Sequence, residues 1–346
     1  MKTKDLIKYI LSGALAVFLL WFSFRNVDWT DFWAGLKACS WGFVLLSMLI
    51  GVMSFFVRSL RWKMLLDPLD NSIKLGPVFN AINISYLVNL VIPRGGDVLR
   101  CAYIAKHSQP GEDGHKKASF DKVLGTAVVD RVWDFVTLVI LFVAIVLIMW
   151  HRFGTFVSDN ILGSLSSKRN TVIILAAVGV VGILCLWALW RFKDKNRIAG
   201  KVWGFFKGLG DGLTTCLKMK NGWLFLVYTI LVWTCYCFMS ATVIWAVQGM
   251  DPSVLGQESV EGITSLQSLG LVDALFLCLV GAISNTIPVP GGFGAFHWLV
   301  SMALLVIYGV PFEIGIIFAT ISHESQALTQ ALCGGVSYLL EMKQTT

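Results

Sequence analysis

Charge is scarce in this sequence. Only 14% of its 346 residues are Asp, Glu, Lys or Arg, while 56% are hydrophobic, and the mean hydropathy is +0.72. A water-soluble domain needs a largely polar surface, so this composition excludes one. Cysteine patterning is missing as well. The eight cysteines are scattered through apolar stretches, and Cys235 and Cys237 have no second pair spaced to complete a zinc knuckle or a disulfide framework. No metal and no cofactor are expected on that ground. There is no nucleotide-binding glycine loop and no nucleophile elbow. No nucleic-acid motif accompanies the net charge of +7, so the surplus is read as membrane topology and contact with anionic lipid. A secretory cleavage site is also lacking. Lys2, Lys4 and Lys8 precede an apolar run over 9–24, and Arg25-Asn26 follow it without small residues, which predicts an uncleaved first helix.

Long apolar runs are what the sequence has in quantity. They fall at about 6–24, 41–57, 76–92, 121–150, 171–190, 222–249, 269–287, 295–309 and 312–340, and several exceed the roughly 18 residues that mark a spanning helix. They are too long for barrel strands, and a spanning segment must satisfy its own backbone, so the fold class is all-α: a polytopic helical membrane bundle of about seven to nine segments. It reads as a single integral membrane domain over 1–346. Its repeat-like halves are about 41–150 and 222–340, joined by a basic amphipathic connector over 191–221. Residues 26–40, with Trp29, Phe32, Trp33 and Leu36 among polar neighbours, predict a short interfacial helix.

Loop charge sets the orientation. Residues 191–220 carry Arg191, Lys193, Lys195, Arg197, Lys201, Lys207, Lys218 and Lys220, whereas 250–268 hold Asp251, Glu258 and Glu261 and no Lys or Arg. The first stretch is therefore expected inside and the second outside, with the N-terminus inside. Arg58, Arg61 and Lys63 then read as cytoplasmic, as do Arg94, Arg100 and Lys106. Yet 76–92 lies between those two groups, and one full crossing would put them on opposite sides. The economical resolution is a re-entrant element, and Asn80, Asn83, Ser85 and Asn89 within it suit a wet cavity better than lipid.

A short repeat supports this. Asn89-Leu90-Val91-Ile92-Pro93-Arg94-Gly95-Gly96 parallels Asn285-Thr286-Ile287-Pro288-Val289-Pro290-Gly291-Gly292, with Gly294 just beyond. Proline removes a donor and paired glycines permit unusual dihedrals, so both stretches predict a broken helix. Paired broken helices in two halves point to a transporter site near the bilayer midplane. Ionisable residues follow each break at mid-depth: Asp130, Arg131 and Asp134 after the first, His297, His323 and Glu324 after the second. Intramembrane charges are expensive and mark function by default. Arg94, Asp97 and Arg100 flank the first break, and arginine suits bidentate recognition of phosphate. The candidate substrate-binding set is thus Arg94, Asp97, Arg100, Asp130, Arg131, Asp134, His297, His323 and Glu324.

Taken in order, these motifs resemble a known group. Pro93-Arg94-Gly95-Gly96-Asp97-Val98-Leu99-Arg100, Asp130-Arg131-Val132-Trp133-Asp134, Pro288-Val289-Pro290-Gly291-Gly292-Phe293-Gly294 and Tyr308-Gly309-Val310-Pro311 are similar to motifs of the lysylphosphatidylglycerol synthase transmembrane-region family. Arg58-Ser59-Leu60-Arg61-Trp62 resembles its arginine pair after the second helix. The resemblance implies a flippase-like fold, as in the membrane module of multiple peptide resistance factor proteins, which moves aminoacylated phosphatidylglycerol between leaflets. The aminoacyl-transferase domain of full-length members is not expected here. His297 stands where the family usually has Glu, and His323-Glu324 where it often has Arg.

The expected function is lipid head-group translocation in the bacterial cytoplasmic membrane, without enzymatic chemistry, through a groove linking Arg94, Arg131 and the 288–297 loop. Membrane phospholipids with anionic head groups are the expected partners. A homo-oligomer or a separate lipid-modifying enzyme is compatible with the sequence; nucleic acid is not. The alternatives are a membrane-embedded lipid- or polyprenyl-modifying enzyme and a transporter of a soluble solute.

Overall fold

The fold is that of a computed structural model, which describes residues 3–110, 117–152, 187, 191, 200, 203–204, 219, 221–250 and 266–345. The helices are α1 (Thr3–Phe24), α2 (Trp29–Ala38), α3 (Trp41–Leu66), α4 (Leu75–Val91), α5 (Gly95–His107), α6 (Phe120–Ile148), α7 (Gly222–Gln248), α8 (Leu271–Ser284), α9 (Ala295–Tyr308) and α10 (Phe312–Thr345), with a 3-10 turn at Pro290–Gly292. Among the described residues there is no strand. The all-α expectation therefore holds, and most helix bounds follow the apolar runs, though α3 continues to Leu66 beyond its run at 41–57 and α5 lies outside all of them. The run expected at 171–190 and most of the basic connector lie outside the described residues.

Among the described residues, four helices are long and apolar enough to cross a membrane, or five if α1 and α2 count as one broken span. α2 turns away from α1 by 90°. Asp28 caps it, accepting from the Thr30 and Asp31 amides at 2.7 and 3.4 Å, and its Trp29 and Trp33 are exposed. A short capped helix with exposed tryptophans fits the interfacial reading.

Large apolar side chains are exposed along helices that bury small polar residues, unlike the surface of a soluble protein. On α3, Leu45, Leu46, Leu49, Met53 and Phe56 are exposed while Ser47, Gly51, Ser54 and Ser59 are buried. On α10, Leu328, Leu332, Val336 and Leu339 face out while Ser322, Ser325, Thr329 and Ser337 face in. Lipid is as apolar as leucine, so helices in a bilayer associate through small residues and interhelical hydrogen bonds. The α4–α10 contact shows this directly. A Cβ on Gly334 would lie 2.5 Å from Leu87 Cβ and 2.7 Å from the Asn83 carbonyl oxygen, and Asn83 donates to Ser337 Oγ at 3.3 Å.

The chain groups into two compact units, Met1–Asp130 with Trp223–Thr346, and Arg131–Gly222. In the first, α10 packs on α4, α9, α3 and α2, and α5 folds back along α4. α8 and α9 pack likewise, with Tyr308 at the end of α9 donating to Asp273 at the start of α8 over 2.9 Å. α9 ends on Gly309, whose φ of 69° turns the chain into Val310-Pro311. At the far end of α10, Glu341 accepts from the Tyr103 hydroxyl at 2.6 Å and lies 3.3 Å from His107 Nε2. The second unit, in its described part, is the remainder of α6 and short pieces beyond it.

Candidate functional site

Both sequence breaks are helix breaks, and they meet. α4 ends at Val91 and α5 starts at Gly95, with Arg94 between them at φ 60°, the one non-glycine with positive φ among the described residues. Gly96 is forced by proximity: a Cβ there would lie 2.0 Å from the Ser85 carbonyl oxygen, and its amide donates to Asn89 Oδ1 at 2.9 Å. In the second break Gly291, Gly292 and Gly294 take φ values of 58°, 81° and 78°, a region that side chains rarely adopt. Pro288 is exposed and Pro290 begins the 3-10 turn. α1 seals this loop, since Ala16 packs with Val289 and Ala295, and Ser23 Oγ donates to the Gly294 carbonyl at 3.4 Å. The link between the two breaks is Arg94, whose Nη2 donates to the Thr286 carbonyl at 3.4 Å. Leu90 also lies against Gly291. Arg94, Asn285 and Thr286 are exposed, so the junction has a polar open face.

Two buried clusters flank the junction. In the first, Asp130 on α6 is the centre. Arg61 Nη2 lies 2.6 Å from its Oδ1; Arg58 Nη2 and Arg100 Nη1 lie 3.4 and 3.5 Å from its Oδ2. Arg100 Nε is also 3.2 Å from Asp97 Oδ1, and Arg58 donates to Tyr236 Oη at 2.9 Å. The Arg100 guanidinium stands 4.5 Å over the Trp62 ring. Arg58, Arg61, Arg100 and Asp130 are all 5% exposed or less. Arg100 Nη2 has no hydrogen-bond partner among the described residues.

In the second cluster, His323 Nε2 lies 2.9 Å from the Gly291 carbonyl and its Nδ1 lies 3.1 Å from Glu324 Oε1. His297 Nε2 lies 3.4 Å from the same oxygen. The imidazole rings are 5.1 Å apart, with Phe293, Phe296 and Phe24 around them. His297 and His323 are buried, while the Glu324 side chain is 44% exposed.

Of the residues singled out in the sequence, the structure joins Arg94 to the second break, Asp97 and Arg100 to Asp130, and His297 and His323 to Glu324. Arg131 is exposed and Asp134 is half-buried, and both fall in the second unit. Neighbours on a helix point about 100° apart, so Arg131 faces away from the direction of Asp130. Arg58 and Arg61 differ from expectation. They read as cytoplasmic charges, but α3 continues to Leu66 and buries both. The available signal was two arginines three residues apart, one helical turn, with an apolar residue between them.

A helical chain with several bilayer-length apolar segments, large apolar side chains exposed along them and buried charge is a multi-pass integral membrane protein. Its sequence matches the family model described as the lysylphosphatidylglycerol synthase TM region over residues 9–334, and the chain belongs to that family. No curated protein matches it.

Proposed function

We propose that the protein moves lipid head groups, those of phospholipid or modified anionic lipid, between the leaflets of the bacterial cytoplasmic membrane. The contact of Arg94 with the second break carries this reading. α4 and α8 have 17 and 14 residues, or about 25 and 21 Å, short of a hydrocarbon core about 30 Å thick. Each therefore works as one arm of a re-entrant hairpin. Loop charge has the first hairpin entering from the cytoplasm and the second from outside, so their tips meet near the midplane as inverted repeats.

The lateral contacts agree with that orientation and with a cytoplasmic N-terminus. Glu341 meets Tyr103 and His107 at the side assigned to the cytoplasm. Asp28, Asp31 and Phe32 share a small cavity with Glu313 at the other.

At the junction, Arg94 offers an exposed guanidinium to an anion. Arg100, about 9 Å along α5 from Arg94, has a spare donor on its buried face. A phosphate that bonds first with Arg94 and then with the Arg58, Arg61 and Arg100 group exchanges one charged partner for another, which lowers the barrier to crossing.

The test is translocation of fluorescent phosphatidylglycerol in proteoliposomes. Wild type should move it faster than protein-free vesicles, and Arg94→Ala should slow it at least about tenfold, the worth of one charge-assisted hydrogen bond. An unchanged rate in Arg94→Ala overturns the reading. A lipid-modifying enzyme is the second reading, favoured by the paired histidines on one carboxylate; formation of a new lipid by the purified protein would select it.

A further inference from the structure

We infer that His297, His323 and Glu324 hold one divalent transition-metal ion of the zinc type. The argument starts at His323. Its Nε2 lies 2.9 Å from the Gly291 carbonyl oxygen, which can only accept, so Nε2 carries hydrogen. In a neutral ring Nδ1 then presents a lone pair, and it lies 3.1 Å from Glu324 Oε1, another acceptor. Two lone pairs at that distance repel unless something positive lies between them. His297 brings a third donor atom to the same oxygen, with Nε2 at 3.4 Å.

A proton on His323 would account for one of these contacts. The second contact would then need its own proton, on His297 Nε2, across a long 3.4 Å. A metal ion accounts for both. Ligands bound tetrahedrally at 2.0–2.1 Å stand about 3.3–3.4 Å from one another, and the two measured separations bracket that value. All three donor atoms lie within 4.8 Å of one another.

The surroundings also fit. A metal-bound histidine usually donates its other N–H to a carbonyl or carboxylate, which fixes the ring. The Gly291 carbonyl takes that part for His323, and it is aimed by the left-handed φ of 58° at Gly291. Phe293 and Phe296 lie 4.9 and 5.1 Å from the His323 ring, and Phe24 lies 5.5 Å from that of His297. This apolar collar limits water at the two nitrogens. Two imidazoles and one carboxylate suit zinc, copper, nickel or iron, not magnesium or calcium, which prefer an all-oxygen shell. Three protein ligands leave a fourth position open. Glu324 is the exposed member, so that position opens on its side, where water or an anionic oxygen such as a phosphate oxygen can complete the shell.

The test uses the full, untagged chain in detergent, stripped with a chelator and then dialysed against Zn2+ or Co2+ alone. No lipid is involved, so this result and the translocation result are independent. One equivalent of metal should be retained, and Co2+ should develop the intense visible bands of a tetrahedral centre. His297→Ala, His323→Ala and Glu324→Gln should each weaken binding about a hundredfold or more. His323→Cys keeps a ligand, so it should retain Co2+ and add a sulfur-to-cobalt charge-transfer band. Substoichiometric retention by wild type, wild-type affinity in either histidine variant, or a His323→Cys centre without the sulfur band overturns the proposal.

Discussion

Arg61 Nη2 stands 2.6 Å from Asp130 Oδ1, with neither side chain more than 2% exposed. The pair joins α3 to α6 in a place where water cannot solvate either charge. Removing one partner from a buried pair costs about 3–5 kcal/mol, because the other charge stays buried. Asp130 also faces Arg58 and Arg100, so its loss strands positive charge on two helices. Asp130→Ala should lower thermal stability in detergent by at least that amount, and Asp130→Asn by less. Melting curves that superimpose on wild type would show that the cluster does not hold the bundle.

Gly334 sets how closely α10 approaches α4. Its missing Cβ leaves room for the Asn83 carbonyl at 2.7 Å and Leu87 Cβ at 2.5 Å. Gly334→Ala should cost about 1–3 kcal/mol through overpacking, and Gly334→Val more. Gly335 next to it has open space at the same position, so Gly335→Ala should be tolerated. Equal melting temperatures for the two alanine variants would contradict the crossing described.

Arg94 separates stability from transport. Its backbone sits at φ 60°, which costs a side-chain-bearing residue about 1–2 kcal/mol but is tolerated by asparagine. Arg94→Asn should therefore melt at or slightly above the wild-type temperature while translocation falls about tenfold. A variant that loses both together would mean that the guanidinium is structural.

Asp70 lies in the loop between α3 and α4, outside the spans. It accepts from Ser108 Oγ at 2.7 Å, the Gln109 amide at 3.0 Å and both the amide and hydroxyl of Ser72. Burial pushes this carboxyl up, but the hydrogen bonds from Ser72, Ser108 and Gln109 outweigh it and hold the pKa at about 2 against an ordinary 3.8. A depressed folded-state pKa gives stability that is fully present above the unfolded value and lost as pH falls through the folded one. Asp70→Asn should lower the melting temperature by an amount that is constant above about pH 5 and shrinks as pH falls below about 4. A gap that widens on acidification would reverse the sign argued here.

Helix positions were legible because their causes are local. The apolar run at 76–92 became α4 (Leu75–Val91), which stops before Pro93 as a missing donor requires; the left-handed turn there falls on Arg94, while Gly95-Gly96 begin α5. The second break was legible in the same way from Pro288, Pro290 and Gly291-Gly292. The family was legible too, because its motifs are short, local and ordered along the chain. Arg58 and Arg61 were misread because an arginine at a helix end and one turned inward have the same letter and nearly the same neighbours. Only the arrival of the Asp130 carboxylate from α6 compensates the two charges in the inward position. His297, His323 and Glu324 stood out in the sequence as ionisable residues following the second break, but no spacing showed that the two histidines meet on one carboxylate.

The sequence by itself determined that the chain is helical, that it enters the membrane repeatedly and where its helices break. Hydrophobicity, proline and glycine act within a few residues, so they can be read along the chain. Tertiary structure alone decided that the two breaks touch through Arg94, that three arginines close on Asp130, and that two histidines share the Glu324 carboxylate. Those relationships join residues far apart in sequence. They depend on how closely small residues such as Gly96 and Gly334 let the helices approach, a distance that no single segment encodes.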